Sequence, residues 1–212
     1  MEAATDLLPA CRLRRLGRAD YAPTRDAMRA FTAARDETTP DELWLLEHPP
    51  VYTYGQGADT SHGPRIDNGI ALVKAERGGD ITYHGPGQLV LYTLVDLARR
   101  RIGVKRYVQL LEQSVIDFLA ERGIAGVRRP GAPGVYVNEA KIAALGIRVS
   151  RGRAYHGLAL NVDMDLTPFL SIDPCGYTGL RVTQLREHGI STTPEAAGER
   201  LAVILLEHLA HG

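Results

Sequence analysis

Apolar side chains follow two rhythms along the 212 residues of this chain: a spacing of three to four residues, and runs of adjacent apolar residues bounded by turn formers. The wider spacing predicts helices. Val104, Val108, Leu111, Val115, Phe118 and Leu119 fall on one face of a helix running from Val104 to about Glu121, and Gly123 follows as a stop. Residues 22–36 carry few turn formers and place Met28 and Phe31 at helical spacing. A last helix starts near Thr193-Pro194 and runs through Leu201, Ile204, Leu205 and Leu209. The shorter runs predict strands. Glu42–Glu47 is stopped by Pro49-Pro50, Val51–Tyr54 ends at Gly55, and Leu89–Tyr92 is apolar throughout. Gly134–Asn138 and Lys141–Val149, separated by Asn-Glu-Ala, read as a hairpin, and Gly157–Asp163 as a further strand. The polar stretch 57–68 reads as an exposed loop, either a lid or a plain connector. Strands interrupted by long helices, without a regular βαβ beat, predict an α+β fold, a mixed sheet with helices packed on one side.

Composition narrows the class. At 44% hydrophobic the chain can bury one substantial core, so a single domain over residues 1–212 is expected. Twenty-five basic and twenty-five acidic residues cancel, which argues against non-specific nucleic-acid binding. The charge is uneven, however: Arg99, Arg100, Arg101, Lys105 and Arg106 form one basic cluster, and Arg148, Arg151 and Arg153 another. Each is either a solvated face or a docking patch. No apolar run approaches the roughly 20 residues that span a bilayer, and the N-terminus lacks a secretory pattern. With only two cysteines, the expectation is a soluble protein of the cytoplasm, with no membrane association.

The candidate chemistry centres on Cys175, in Asp173-Pro174-Cys175-Gly176-Tyr177. Pro174 fixes one torsion and Gly176 permits a sharp turn, so a thiol there can stand at the lip of a pocket. Taken locally, a lone cysteine is more often a small buried hydrophobe than a catalyst. Two glycine-rich segments change the balance. One is Arg77-Gly78-Gly79-Asp80-Ile81-Thr82-Tyr83-His84-Gly85-Pro86-Gly87-Gln88; the other runs from Val135 through Lys141-Ile142-Ala143-Ala144-Leu145-Gly146 and resumes at Tyr155-His156-Gly157-Leu158-Ala159. With Leu45–Gly55 and the Asp-Pro-Cys-Gly-Tyr run, these resemble, in order, the motifs of the lipoyl(octanoyl) transferases over roughly residues 42–180.

That resemblance implies the catalytic fold shared by biotin and lipoate protein ligases. It implies an acyltransferase that moves octanoate from octanoyl-acyl carrier protein to a lysine of lipoyl domains, in 2-oxoacid dehydrogenase E2 subunits and the glycine cleavage H protein. It pairs Lys141 with Cys175 as the catalytic residues, and an ammonium beside a thiol lowers the thiol's pKa from about 8.5. It lays Arg77, Gly78, Gly79, Asp80, Ile81, Thr82, Tyr83 and His84 along the acyl substrate, with Ala144, Leu145, Gly146, Gly157, Leu158 and Ala159 as small or apolar walls. His84 is a candidate to orient the acyl carbonyl, and His156 to act from behind. The protein is expected to be a monomer that needs no cofactor and no ATP. The histidines are scattered without ligand spacing, so no metal is expected. Three other readings stay open: an ATP-dependent ligase of the same fold, a non-catalytic module for acyl chains or carrier proteins, and a Cys-His hydrolase.

Overall fold

The computed structural model describes residues 11–58, 63–172 and 181–211. Cys175 and its neighbours therefore lie outside the described residues. The chain runs β1 (Arg12–Arg18), α1 (Tyr21–Ala34), β2 (Glu42–Glu47), β3 (Val51–Tyr54), β4 (Ala71–Lys74), β5 (Thr82–His84) and β6 (Gln88–Asp96). It continues with α2 (Leu97–Arg100), α3 (Val104–Ala120), β7 (Gly134–Val137), β8 (Ala140–Ser150), β9 (Arg153–Asn161) and α4 (Pro194–His211). A six-stranded mixed sheet has the order β1-β2-β6-β9-β8-β7, and a small sheet the order β4-β3-β5.

Helices cover both faces of the large sheet, which corrects the one-sided expectation. Leu43, Leu45, Leu89 and Leu91 pack under α3 and α4, while Trp44, Leu46, Val90 and Tyr92 face Met28 of α1 and Tyr155. The reason lies in β2 and β6 themselves. Their apolar residues are consecutive rather than alternating, so both faces must be covered. β1 was not foreseen. Its sequence Arg-Leu-Arg-Arg-Leu-Gly-Arg is too charged to look like a strand, but it sits at the sheet edge, where arginines stay solvated while the backbone pairs in parallel with β2.

The β7–β8 hairpin forms as expected, through a two-residue turn whose members, Asn138 (φ 45°) and Glu139 (φ 69°), are both left-handed. The predicted strand over Gly157–Asp163 is the latter part of a longer one, since β9 begins at Arg153. The described part of the 57–68 loop is pinned by Arg65, whose backbone N–H donates to Ser171 O at 2.8 Å and whose guanidinium donates to Leu170 O at 3.0 Å.

In the two basic clusters Arg99, Arg100 and Arg153 are half-buried and ion-paired, whereas Arg101, Lys105, Arg106, Arg148 and Arg151 are exposed. Asp41 is fully buried and accepts from Arg35, from Arg99 Nη2 at 2.7 Å, from Arg100 Nε at 2.6 Å and from the Asp96 N–H at 2.9 Å. Arg153 pairs with Asp96 at 3.3 Å. Three of the arginines read as a possible docking patch thus tie α2 and β9 to the buried carboxylates.

Candidate active site

A cavity of about 790 Å³, open solvent at its mouth included, lies over strands β6, β9 and β8. That is within the range of roughly 300–1,000 Å³ typical of small-molecule sites. Its floor follows from strand register. Val90 pairs with Ala159, which pairs with Ala144; one row on, Tyr92 pairs with Gly157, which pairs with Gly146. Small residues at the four central positions keep the slot open. Gly146 also lets the Arg77–Gly78 segment cross the strand, because a Cβ there would stand 3.0 Å from Arg77 Cδ and from Gly78 O.

Of the described residues singled out in the sequence, the structure gathers most around this cavity. Arg77, Gly79, Asp80, Ile81, Thr82 and His84 form one wall; Ala144 and Gly146 of β8 with Gly157 and Ala159 of β9 form the floor, Leu145 and Leu158 between them bordering the cavity while they pack into the helix-covered core; Lys141 stands at the edge. Two do not line it. Tyr83 points from the opposite face of β5 into a cluster with Tyr52 and Phe169, as strand alternation requires between Thr82 and His84. Gly78 turns its N–H to Ile147 O at 2.9 Å, holding the loop on β8.

Lys141 reaches the cavity through an irregularity. On β8 it pairs with Tyr136 while Ala143 pairs with the adjacent Val135, so one extra residue is inserted in β8. Such a bulge reverses the alternation and re-aims the side chain, here onto the face of Ala144. Lys141 is buried, its Nζ donates to Pro133 O at 3.2 Å, and it stands 5.3 Å from the centre of the Tyr136 ring. Gly134, at φ 143°, makes room: a Cβ would come within 3.0 Å of Lys141 Cε. Beyond the end of β9, Lys141 is clamped by residues 181–183. Its N–H donates to Arg181 O at 2.8 Å and its carbonyl accepts from the Thr183 N–H at 3.0 Å. Phe169 before residues 173–180 and Val182 after them both line the cavity.

The histidines here are neutral near pH 7. Burial, and secondarily the neighbouring His48, pushes His84 down to about 3; burial, and secondarily Arg77, pushes His156 to about 3. Gln88 Nε2 donates to Asn161 Oδ1 at 3.0 Å, so Gln88 Oε1 accepts from His84 Nδ1–H at 2.7 Å, which leaves the His84 Nε2 lone pair as an acceptor. The described lining residues carry two cations, Arg77 and Lys141. Arg77 is fixed by Thr53 O at 2.7 Å and Thr53 Oγ1 at 2.8 Å. Among the described residues no group of three or more His, Cys, Asp or Glu is placed to hold a metal, and no helix is long and apolar enough to cross a membrane.

Sequence reasoning missed Tyr21, Gln88, Val90, Tyr92, Asn161, Phe169 and Val182 as lining residues. Period-two alternation could have found four of them, since Gln88, Val90 and Tyr92 share one face of β6 and Asn161 shares a face with Gly157 and Ala159. Tyr21 carried no local signal.

The fold is that of the lipoate- and biotin-protein ligases. A bi-partite lipoate protein ligase from Thermoplasma acidophilum superposes with a TM-score of 0.75 at 18% identity, over 96% of this chain and 84% of that one. Biotin protein ligase from Aquifex aeolicus, solved with biotin and ATP, gives 0.58 at 15%, over 94% and 70%. The chain belongs to the lipoyl protein ligase A/B catalytic domain family, which matches residues 20–204. Among its relatives are the octanoyltransferase of Dechloromonas aromatica, 58% identical over 93% of this chain and 96% of the relative, and that of Klebsiella pneumoniae, 50% identical over 94% and 92%.

Proposed function

We propose that the protein transfers an octanoyl group from acyl carrier protein to a lysine of a lipoyl domain, through a thioester on Cys175. The observation that carries this is a buried lysine aimed by a bulge at the edge of an apolar slot floored with small residues, in a chain at least half identical to octanoyltransferases. The sulfur of Cys175 attacks the thioester carbonyl, the bond to the carrier's sulfur breaks, and Lys141 Nζ protonates the departing thiolate. The acceptor amine then attacks the acyl-cysteine, its proton passes to Lys141, and the Cys175 thiolate is released. One thioester is exchanged for another and then for a more stable amide, so no nucleotide is consumed. The Arg77–His84 wall and the floor from Ala144 to Gly146 and Gly157 to Ala159 hold the acyl chain. On this reading E2 lipoyl domains and the H protein are the acceptors, and the enzyme works as a single-domain monomer in the cytoplasm.

Intact-mass measurement tests the scheme. Mixing with octanoyl-acyl carrier protein and no acceptor should give one octanoyl adduct that hydroxylamine removes and Cys175→Ala abolishes. An adduct that persists in that variant, or transfer that requires ATP and free octanoate, would refute it.

A further inference from the structure

One end of the slot is polar in a way the transfer chemistry does not use. His156 is a non-glycine residue at φ 61°, a left-handed conformation that L side chains rarely adopt. Regular alternation along β9 would send its ring to the helix-covered face, where Ala154, Leu158 and Leu160 pack. Instead the ring stacks on Tyr155 at 5.1 Å and stands edge-on to Tyr92 at 5.8 Å, against the cavity. Although the residue is only 1% exposed, neither ring nitrogen has a hydrogen-bond partner. Tyr21, the first residue of α1, adds a third such atom. It is 4% exposed, its ring stacks over His84 at 6.3 Å, and its hydroxyl is unpartnered. Tyr92 is otherwise engaged. His48 Nδ1 lies 2.6 Å from Ala19 O, so that nitrogen carries the proton, and Nε2 accepts from the Tyr92 hydroxyl at 2.7 Å. Buried polar atoms are almost always satisfied, and three unsatisfied by protein in the lining of one cavity mark where solvent or ligand completes the bonding.

The position of that spot decides its role. Lys141 Nζ lies beside Gly134 on β7, whereas Tyr92 is on β6, three strands away. Strands lie about 4.8 Å apart, so the slot crosses roughly 10–15 Å of sheet, about the length of an extended medium-chain acyl group. An acyl group whose carbonyl is at Lys141 runs over Ala144 and Ala159 and brings its methyl end toward Tyr21 and His156. This orientation rests on the function proposed above.

We propose that Tyr21 and His156 are specificity-determining residues that form a hydrogen-bonding stop for the acyl chain. With octanoate in place, water at the stop satisfies the hydroxyl and the imidazole. A longer saturated chain must displace that water with methylene groups that can neither donate nor accept, leaving the buried polar atoms unpaired. Such a loss is worth about tenfold in kcat/KM for each group stripped, or roughly 1.4 kcal/mol. Length is therefore limited by a desolvation penalty, and removing the polar atoms relaxes the limit even where the space hardly changes.

The experiment compares octanoyl, decanoyl and dodecanoyl carrier protein as donors for wild type, for Tyr21→Phe and for Tyr21→Phe with His156→Leu, with thermal melts of each. Tyr21→Phe removes one hydroxyl and no packing volume, so it keeps the test open if the His156 variant fails to fold. The decanoyl-to-octanoyl ratio of kcat/KM should rise about tenfold in Tyr21→Phe and further in the double variant. A ratio within twofold of wild type in folded Tyr21→Phe, or equal loss on every donor, overturns the stop while leaving octanoyl transfer intact. Absence of transfer from every donor by wild type would instead overturn the function on which it rests.

Discussion

Replacing Lys141 by methionine should separate chemistry from folding more cleanly than any other change in the slot. The backbone of residue 141 is held without its side chain, through the Arg181 carbonyl at 2.8 Å, the Thr183 N–H at 3.0 Å and the pairing with Tyr136. Methionine preserves most of the stem that lies over Gly134 and Tyr136. The lost hydrogen bond to Pro133 O, from a charged donor, is worth about 1.5–3 kcal/mol. Relief from burying an ammonium offsets it by a similar or larger amount. The two nearly cancel, so stability should stay within about 1 kcal/mol, a shift of roughly 2–4 °C in Tm for a chain of this size. Activity should fall far more. A lost acid–base group costs about 10²–10⁴-fold, equivalent to roughly 3–5 kcal/mol of barrier. Alkylation kinetics with pH supply a third readout. Burial, reinforced by Asp41, pushes the thiol of Cys11 up to about 12, so alkylation across neutral pH reads Cys175 with little contribution from Cys11. Its titration should move up toward about 8.5 in Lys141→Met. Turnover within tenfold of wild type, an unchanged thiol titration, or a Tm loss above about 10 °C that accounts for the lost activity would each refute the assignment.

Two further outcomes follow from the fold. Burial raises the Asp41 carboxyl, but the Asp96 N–H and the surrounding guanidinium groups outweigh it and hold it below the usual carboxylate range. With the folded pKa depressed, this stability is fully present above the unfolded value of about 3.9 and is lost as pH falls through the folded one. Asp41→Asn strands buried arginines and should cost about 3–5 kcal/mol by denaturant titration at pH 7, a gap that should narrow below about pH 4; a gap constant with pH would refute the ion-pair account. Ala159→Leu, in the middle of the slot floor, should suppress octanoyl transfer more than butanoyl transfer. Equal suppression of both donors would place the acyl chain elsewhere.

Much of the site was legible because its residues recur in compact segments. Arg77 to His84, Lys141, Ala144 to Gly146 and Gly157 to Ala159 were each singled out from the sequence and line one cavity, apart from Gly78 and Tyr83. Tyr83 was misplaced because a contiguous motif says nothing of pleat, and alternate residues of β5 face opposite ways. Arg99, Arg100 and Arg153 were misplaced because a charge cluster in sequence does not reveal the buried Asp41 and Asp96 that bind it.

By itself, the sequence determined what local physics controls: the long helices from their apolar spacing, and the β7–β8 hairpin from its strand–turn–strand pattern; the unbroken apolar runs of β2 and β6 also call for cover on both faces, although the sequence reading expected helices on one side. Tertiary structure decided what depends on register and on partners remote in the chain. Pairing β8 with β7 one residue out of step turned Lys141 toward the slot, pairing β6 with β9 and β8 stacked small residues into a floor, and docking α1 stacked Tyr21 over His84 of β5. None of these is visible in a window of neighbouring residues, because each is fixed by which backbone groups hydrogen-bond across strands.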